Sequence, residues 1–302
     1  MKLYKYPKQE HWSAILQRPA MPLEQLEKKV GKILKKVKKK GDEALLKYTS
    51  KFDGVDLPAL AVTEAEIAAA ENELSSELRS AINLAKKNIE TFHLSQVASP
   101  ESVETMPGVT CWRRAVAIEK VGLYIPGGTA PLFSTILMLG VPAAIAGCRE
   151  VIICSPPGKD GSLHPAILYS AKLVGITRIY KVGGVQAIGA MTYGTDTVPA
   201  VAKIFGPGNQ YVTLAKQLVQ QQGVAIDMPA GPSEVAVFAD AAANASFVAA
   251  DLLSQAEHGA DSQVILVTTA PDFVDQLINA LQLQFMELDR RQLAERALEN
   301  SK

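Results

Sequence analysis

The sequence predicts an α/β protein whose parallel sheets carry helices on both faces. Three observations lead there. From Ala115 onward, short runs of β-branched and aliphatic residues alternate with helical segments, the pattern of successive βαβ units. The turns between strand and helix are rich in glycine. The composition, 48% hydrophobic and 21% charged over 302 residues, provides a sizeable core and is that of a soluble globular chain.

The amino-terminal third reads as helical. Within and just before the lysine-rich stretch 28–40, Leu26, Val30, Ile33, Leu34 and Val37 recur at helical spacing and make one apolar stripe. The lysines fall on the other faces, so they describe a solvated helix surface rather than a nucleic-acid patch. Lys+Arg and Asp+Glu balance at 31 each, which leaves no global basic field for nucleic acid or an anionic membrane. Gly41-Asp42 ends this helix and opens another through 44–49. A further long helical stretch covers about 63–92, broken near 74–76.

Six strands follow, at 121–125, 150–154, 178–182, 202–205, 234–238 and 263–268. Helices are predicted at 134–146, 165–174, 186–193, 211–221 and 246–258, and the tail 271–302 reads as helical in two pieces. Right-handed crossovers place ligands at the carboxyl ends of such strands.

Residues 1–12 lack an apolar core of the secretory type, and no run of about 18 apolar residues occurs, so neither a signal peptide nor a membrane span is expected. Cys111, Cys148 and Cys154 form no paired framework, which fits a reducing, cytoplasmic setting. The sequon at Asn244-Ala245-Ser246 is then an empty match.

Two features could carry chemistry. The turns at 125–129, 182–186 and 205–210 share a layout of strand, glycine cluster and helix, which lets backbone N–H groups approach an anion. None spells G-x-G-x-x-G, and each alone is an ordinary βα connection. Three at one end of one sheet point to a cleft without naming its ligand. The second feature is the segment 251–259. At about 100° per residue, Asp251, Gln255 and His258 fall within roughly 60° of helix arc, so Gln255 and His258 can reach one object. Histidine is a common zinc ligand and a glutamine amide an uncommon one. Spacing alone favours the plainer reading, in which His258 is a C-terminal cap before Gly259. Two donors do not complete a zinc site, and His11, His93 and His164 show no spacing that would add a third.

The run Ile226-Asp227-Met228-Pro229-Ala230-Gly231-Pro232-Ser233-Glu234, with the later Asp251–His258 helix, resembles the defining motif of the histidinol dehydrogenase family. The resemblance extends to Val121–Gly128, Gly183–Ile188, Phe205–Asn209, Gly41–Leu45 and Tyr48–Asp53, and so spans essentially the whole chain. It implies two related Rossmann-like three-layer domains, the second inserted into the first. The first would comprise 1–123 plus 234–302, with the N-terminal helices, and the inserted nucleotide-binding domain 124–233. It implies a cytoplasmic homodimer that oxidises L-histidinol to L-histidine through histidinal, with NAD as hydride acceptor and zinc as cofactor. Tyr124, Gln186 and Asn209 match NAD-contacting positions. Ser233, Gln255 and His258 match substrate-contacting positions, and Gln255 and His258 also match zinc ligands. The family's catalytic Glu-His pair, and its remaining zinc ligands, are not matched within residues 1–302. The resemblance therefore implies a truncated chain that has no catalytic residue of its own and is inactive alone. Two alternatives stand beside it. One is a non-catalytic nucleotide-binding or dimerising fragment of the same family. The other is a thiol-dependent aldehyde dehydrogenase, which would need an activated cysteine.

Overall fold

The structure is a computed structural model, and it describes residues 1–17, 23–127, 131–229, 234–259 and 262–302. Along the chain the elements are α1 (Gln9–Ile15), α2 (Leu23–Lys40), α3 (Asp42–Asp53), α4 (Glu64–Ala69) and α5 (Ser76–Leu94), then the strands β1 (Ser102–Met106), β2 (Val109–Trp112) and β3 (Lys120–Tyr124). There follow α6 (Phe133–Ile145), β4 (Glu150–Ser155), α7 (Pro165–Leu173), β5 (Arg178–Lys181), α8 (Gly184–Tyr193), β6 (Lys203–Phe205), α9 (Gln210–Gln220) and β7 (Ala225–Ile226). The last are β8 (Glu234–Ala239), α10 (Ala245–Ala256), β9 (Gln263–Thr268), α11 (Pro271–Phe285) and α12 (Arg291–Asn300).

The chain divides into two compact units, Leu23–Ala230 and Met1–Pro22 with Gly231–Lys302. In the larger unit, five strands form a wholly parallel sheet in the order β5-β4-β3-β6-β7. The alternation of side chains along each strand sorts the core into two faces. Tyr124, Ile152, Cys154, Tyr180 and Ile204 pack with α2, α3, α8 and α9. Val121, Leu123, Ile153 and Ile179 pack with α4, α6 and α7. Four of the five residues of β3 are buried, as a central parallel strand covered on both faces demands. The helices expected within 1–123 belong to this unit: α2 packs on α8 and α9, and α5 on α6. The predicted stripe of α2 is its buried face, with Leu26, Val30, Leu34 and Val37 inside.

The free edge of β5 is closed by residues 60–62. Lys181 N–H donates to the Leu60 carbonyl at 2.7 Å, and Val62 N–H to that of Ile179 at 2.9 Å. The same stretch runs into a capping box at α4, where Thr63 and Glu66 bond each other's backbone N–H, and Glu66 also receives Lys181 Nζ at 2.5 Å. An edge that would otherwise template pairing is thus covered and charged.

In the smaller unit β8 and β9 pair in parallel, with α10, α11 and α12 packed over one face. Asn244 caps α10 by accepting from Ser246 and Phe247 N–H, which gives the sequon asparagine a structural role. Ser301 and Lys302 lie along the outer side of β9: Lys302 N–H donates to the Val264 carbonyl, and Leu266 N–H to that of Lys302. Among the described residues, no helix is long and apolar enough to cross a membrane.

Candidate functional site

The strand order reverses between β3 and β6. After β3 the chain enters α6 on one face, and after β6 it enters α9 on the other. A crevice at the carboxyl ends of two such strands is the ligand position of a doubly wound sheet. The three NAD-matching residues all lie at that end.

Tyr124 is the last residue of β3. Its Oη accepts the backbone N–H of Gly184 at 3.1 Å, which ties the β3 end to the start of α8. Burial pushes the phenol up to about 12, so it stays protonated and keeps its own hydrogen to donate. Gln186 lies in the first turn of α8, is buried, and its Oε1 has no hydrogen-bond partner. An unpaired buried acceptor costs about 1–3 kcal/mol, which a ligand donor would recover. Asn209 is exposed at the start of α9, where its Oδ1 accepts from Tyr211 and Val212 N–H at 3.1 and 3.2 Å.

The glycines of the rim are needed for packing. At Gly206 φ is +130°, and a Cβ there would stand 2.0 Å from the Tyr124 carbonyl oxygen. A Cβ on Gly127 or on Gly183 would run into Pro156, at 2.4 and 2.5 Å. Gly206 is also held at both its backbone groups. Its N–H donates to Asp227 Oδ2 at 2.9 Å, its carbonyl accepts from buried Lys216 Nζ at 2.9 Å, and Lys216 and Asp227 form an ion pair. This differs from turns that offer bare N–H groups to an anion. The N–H groups of Gly184, Gly206, Tyr211 and Val212 are already bonded to side chains. What this end of the sheet holds instead is a phenol hydrogen and an unpaired glutamine oxygen, both on buried residues and both suited to the polar edges of a nucleotide more than to its phosphates. These fit a dinucleotide held by its sugar and base groups.

The residues expected to bind zinc fare differently. Helix α10 ends at Ala256, earlier than the predicted 246–258, so His258 sits in the following turn and is exposed. Gln255 is half-buried and its Nε2 end has no partner. Among the described residues no group of three or more His, Cys, Asp or Glu could hold a metal ion. One imidazole and one amide are half a tetrahedral shell, so these residues alone do not fit a complete zinc site. Ser233 lies outside the described residues, as do Gly128 and Thr129 of the first turn.

Two of the three cysteines are held away from activation. Burial pushes the thiols of Cys154 and Cys148 up, away from the thiolate form, and Cys111 is exposed on β2. Neither Cys148 nor Cys154 supplies the nucleophile that the thiol-dependent reading needs. Sequence reasoning missed Lys216 and Asp227 as parts of the site region. Lys216 was legible as a lysine on the apolar face shared by Val212, Ala215 and Val219.

The histidinol dehydrogenase family model matches residues 16–302. The chain belongs to the histidinol dehydrogenase family. The histidinol dehydrogenase of Bacteroides thetaiotaomicron is 61% identical over 302 residues, covering 100% of this chain and 71% of that protein. That of Escherichia coli K12 is 52% identical over 296 residues, covering 97% of this chain and 67% of its own length. The crystal structure of histidinol dehydrogenase from Elizabethkingia anophelis superposes with a TM-score of 0.91 at 54% identity, over 98% of this chain and 68% of that one. Histidinol dehydrogenases are NAD-dependent oxidoreductases of histidine biosynthesis, and membership gives this chain that activity class and its α/β fold.

Proposed function

We propose that residues 1–302 form the nucleotide-binding part of a histidinol dehydrogenase that oxidises L-histidinol to L-histidine through histidinal. The observation that carries this reading is the switch-point crevice between β3 and β6, rimmed by Tyr124 and by Gln186 with its unpaired oxygen. NAD supplies the hydride acceptor when bound. The chain's own residues position it: Tyr124 donates its phenol hydrogen, Gln186 Oε1 accepts a ligand donor, and Asn209 holds the start of α9 at the rim. Such fixed groups act by orientation.

Ser233, Gln255 and His258 are assigned to the substrate, with Gln255 and His258 contributing to a zinc site that needs further ligands from outside residues 1–302. The homodimer and the cytoplasmic setting belong to this reading. Because the described residues contain neither a completed metal site nor a matched Glu-His pair, residues 1–302 by themselves bind nucleotide without turnover. Calorimetry with NAD is the test. Gln186→Ala and Tyr124→Ala should each weaken binding by about tenfold, and unchanged affinity in both would remove the crevice from consideration.

A further inference from the structure

One ionisable group at this end of the larger unit has no structural occupation. Asp53 is the last residue of α3, a helix that packs on α8; Asp42, at the opposite end of α3, accepts from Thr197 Oγ1 just past the end of α8, so Asp53 lies toward the start of α8. A carboxylate there sits at the negative end of the helix dipole, where acidic residues are unfavourable. The side chain is half-buried, and its Oδ2 is shielded from solvent with no hydrogen-bond partner. Desolvation pushes the carboxyl up to about 6, and its charge is close enough to Tyr124 to raise the phenol as well. Dipole, burial and missing partner all disfavour the anion. No described contact compensates. Acidic groups kept at a cost to the fold are characteristic of binding sites.

The chemistry of the vacant partner is narrow. A carboxylate accepts hydrogen bonds and repels phosphate, so it faces a ligand's donors. A ribose offers two adjacent hydroxyl donors, which match the two oxygens of one carboxylate. An acidic side chain on a ribose hydroxyl also discriminates against a 2′-phosphate. We propose that Asp53 is the specificity-determining residue of the crevice, accepting ribose hydroxyls of NAD and excluding the 2′-phosphorylated dinucleotide. This rests on the reading of the crevice as the NAD site. It adds a residue that enters from outside the sheet.

The test is calorimetric titration of the 302-residue chain with NAD and with NADP, in wild type, Asp53→Asn, Asp53→Ser and Gln186→Ala, alongside thermal melting. Wild type should bind NAD at least about tenfold more tightly than NADP. Both Asp53 variants should lose about tenfold in NAD affinity and bring the two affinities together. Their melting temperatures should equal or exceed that of wild type, because a desolvated charge is removed. Retained NAD affinity and selectivity in both variants, with Gln186→Ala still weakened, overturns the role of Asp53 and leaves the crevice intact. Absence of NAD binding in wild type overturns the crevice and Asp53 with it. A lowered melting temperature in both variants makes Asp53 structural and overturns the proposal. Deamino-NAD, which lacks the adenine amine, should bind wild type as NAD does. A loss on it equal to that of Asp53→Asn assigns the contact to the base and overturns the ribose assignment.

Discussion

Strands β3 and β8 are both short apolar runs that open a parallel pairing, yet they end in different surroundings. β3 has neighbours on both sides and helices on both faces, and only its first residue, Lys120, is exposed. Among the described residues β8 pairs with β9 alone, and its helices cover one face. On the other face Phe238 is 72% exposed and Val267 48%. The run Val235-Ala236-Val237-Phe238 is nevertheless the kind written for burial on both sides. The difference teaches that a βαβ pattern predicts pairing and handedness before it predicts coverage. One unit is covered on both faces of its sheet, and the other presents an apolar face.

The comparison breaks most directly through turnover. The polypeptide of residues 1–302 should reduce NAD with L-histidinol at background rates, at least about 10²-fold below a full-length relative, if the unmatched Glu-His pair carries the acid-base chemistry. A steady-state assay with added zinc decides it, and a rate near that of the relative sinks the assignment. Next in size is the buried Lys216–Asp227 pair. Lys216→Met leaves Asp227 partly buried and uncompensated, and should cost about 3 kcal/mol in chemical denaturation of the larger unit. A change below about 1 kcal/mol would mean that the clamp on Gly206 does not hold the rim.

A pH series sharpens the picture within the larger unit. Asp53 titrates higher in the folded chain, at about 6, than its ordinary value of 3.8. The folded state therefore binds its proton more tightly, so the Asp53 contribution is most favourable below pH 3.8. It falls as pH rises to about 6, and is level above that. Asp53→Asn should flatten this part of the stability profile, and an identical slope in the variant refutes the origin. The smallest effect belongs to the bare face. Phe238→Lys should change stability by no more than about 0.5 kcal/mol while reducing self-association in light scattering. A large loss of stability would show that Phe238 is held by the fold.

Much of this was legible in the residues. The six expected strands are β3, β4, β5, β6, β8 and β9, each within one or two residues, because apolar runs bounded by glycine or proline leave little freedom. The break near 74–76 is real, with Ser75 capping α5 through Leu78 N–H. Strand β7 escaped notice because two residues carry no periodicity. The β1–β2 hairpin escaped because all its residues are exposed, so no alternation marks a buried face. In the site, Tyr124, Gln186 and Asn209 were placed by motif resemblance. Which of their atoms are already bonded was not legible, since that depends on contacts such as Gly184 to Tyr124, 60 residues apart. His258 was expected on the helix and lies past its end, because a helix terminus is set by backbone geometry that spacing does not encode.

Pro156 follows β4 and stands between Gly127, after β3, and Gly183, after β5. Three neighbouring turns are therefore stacked against one ring, with no room for even a methyl group in the two outer ones. A rim wedged in this way behaves as an arch with a keystone. The backbone at Gly127 and at Gly183 packs directly on this ring, so a ligand meets described residues with no space left between them. Association with such an edge should follow a single kinetic phase set by encounter, without a slow rearrangement after contact.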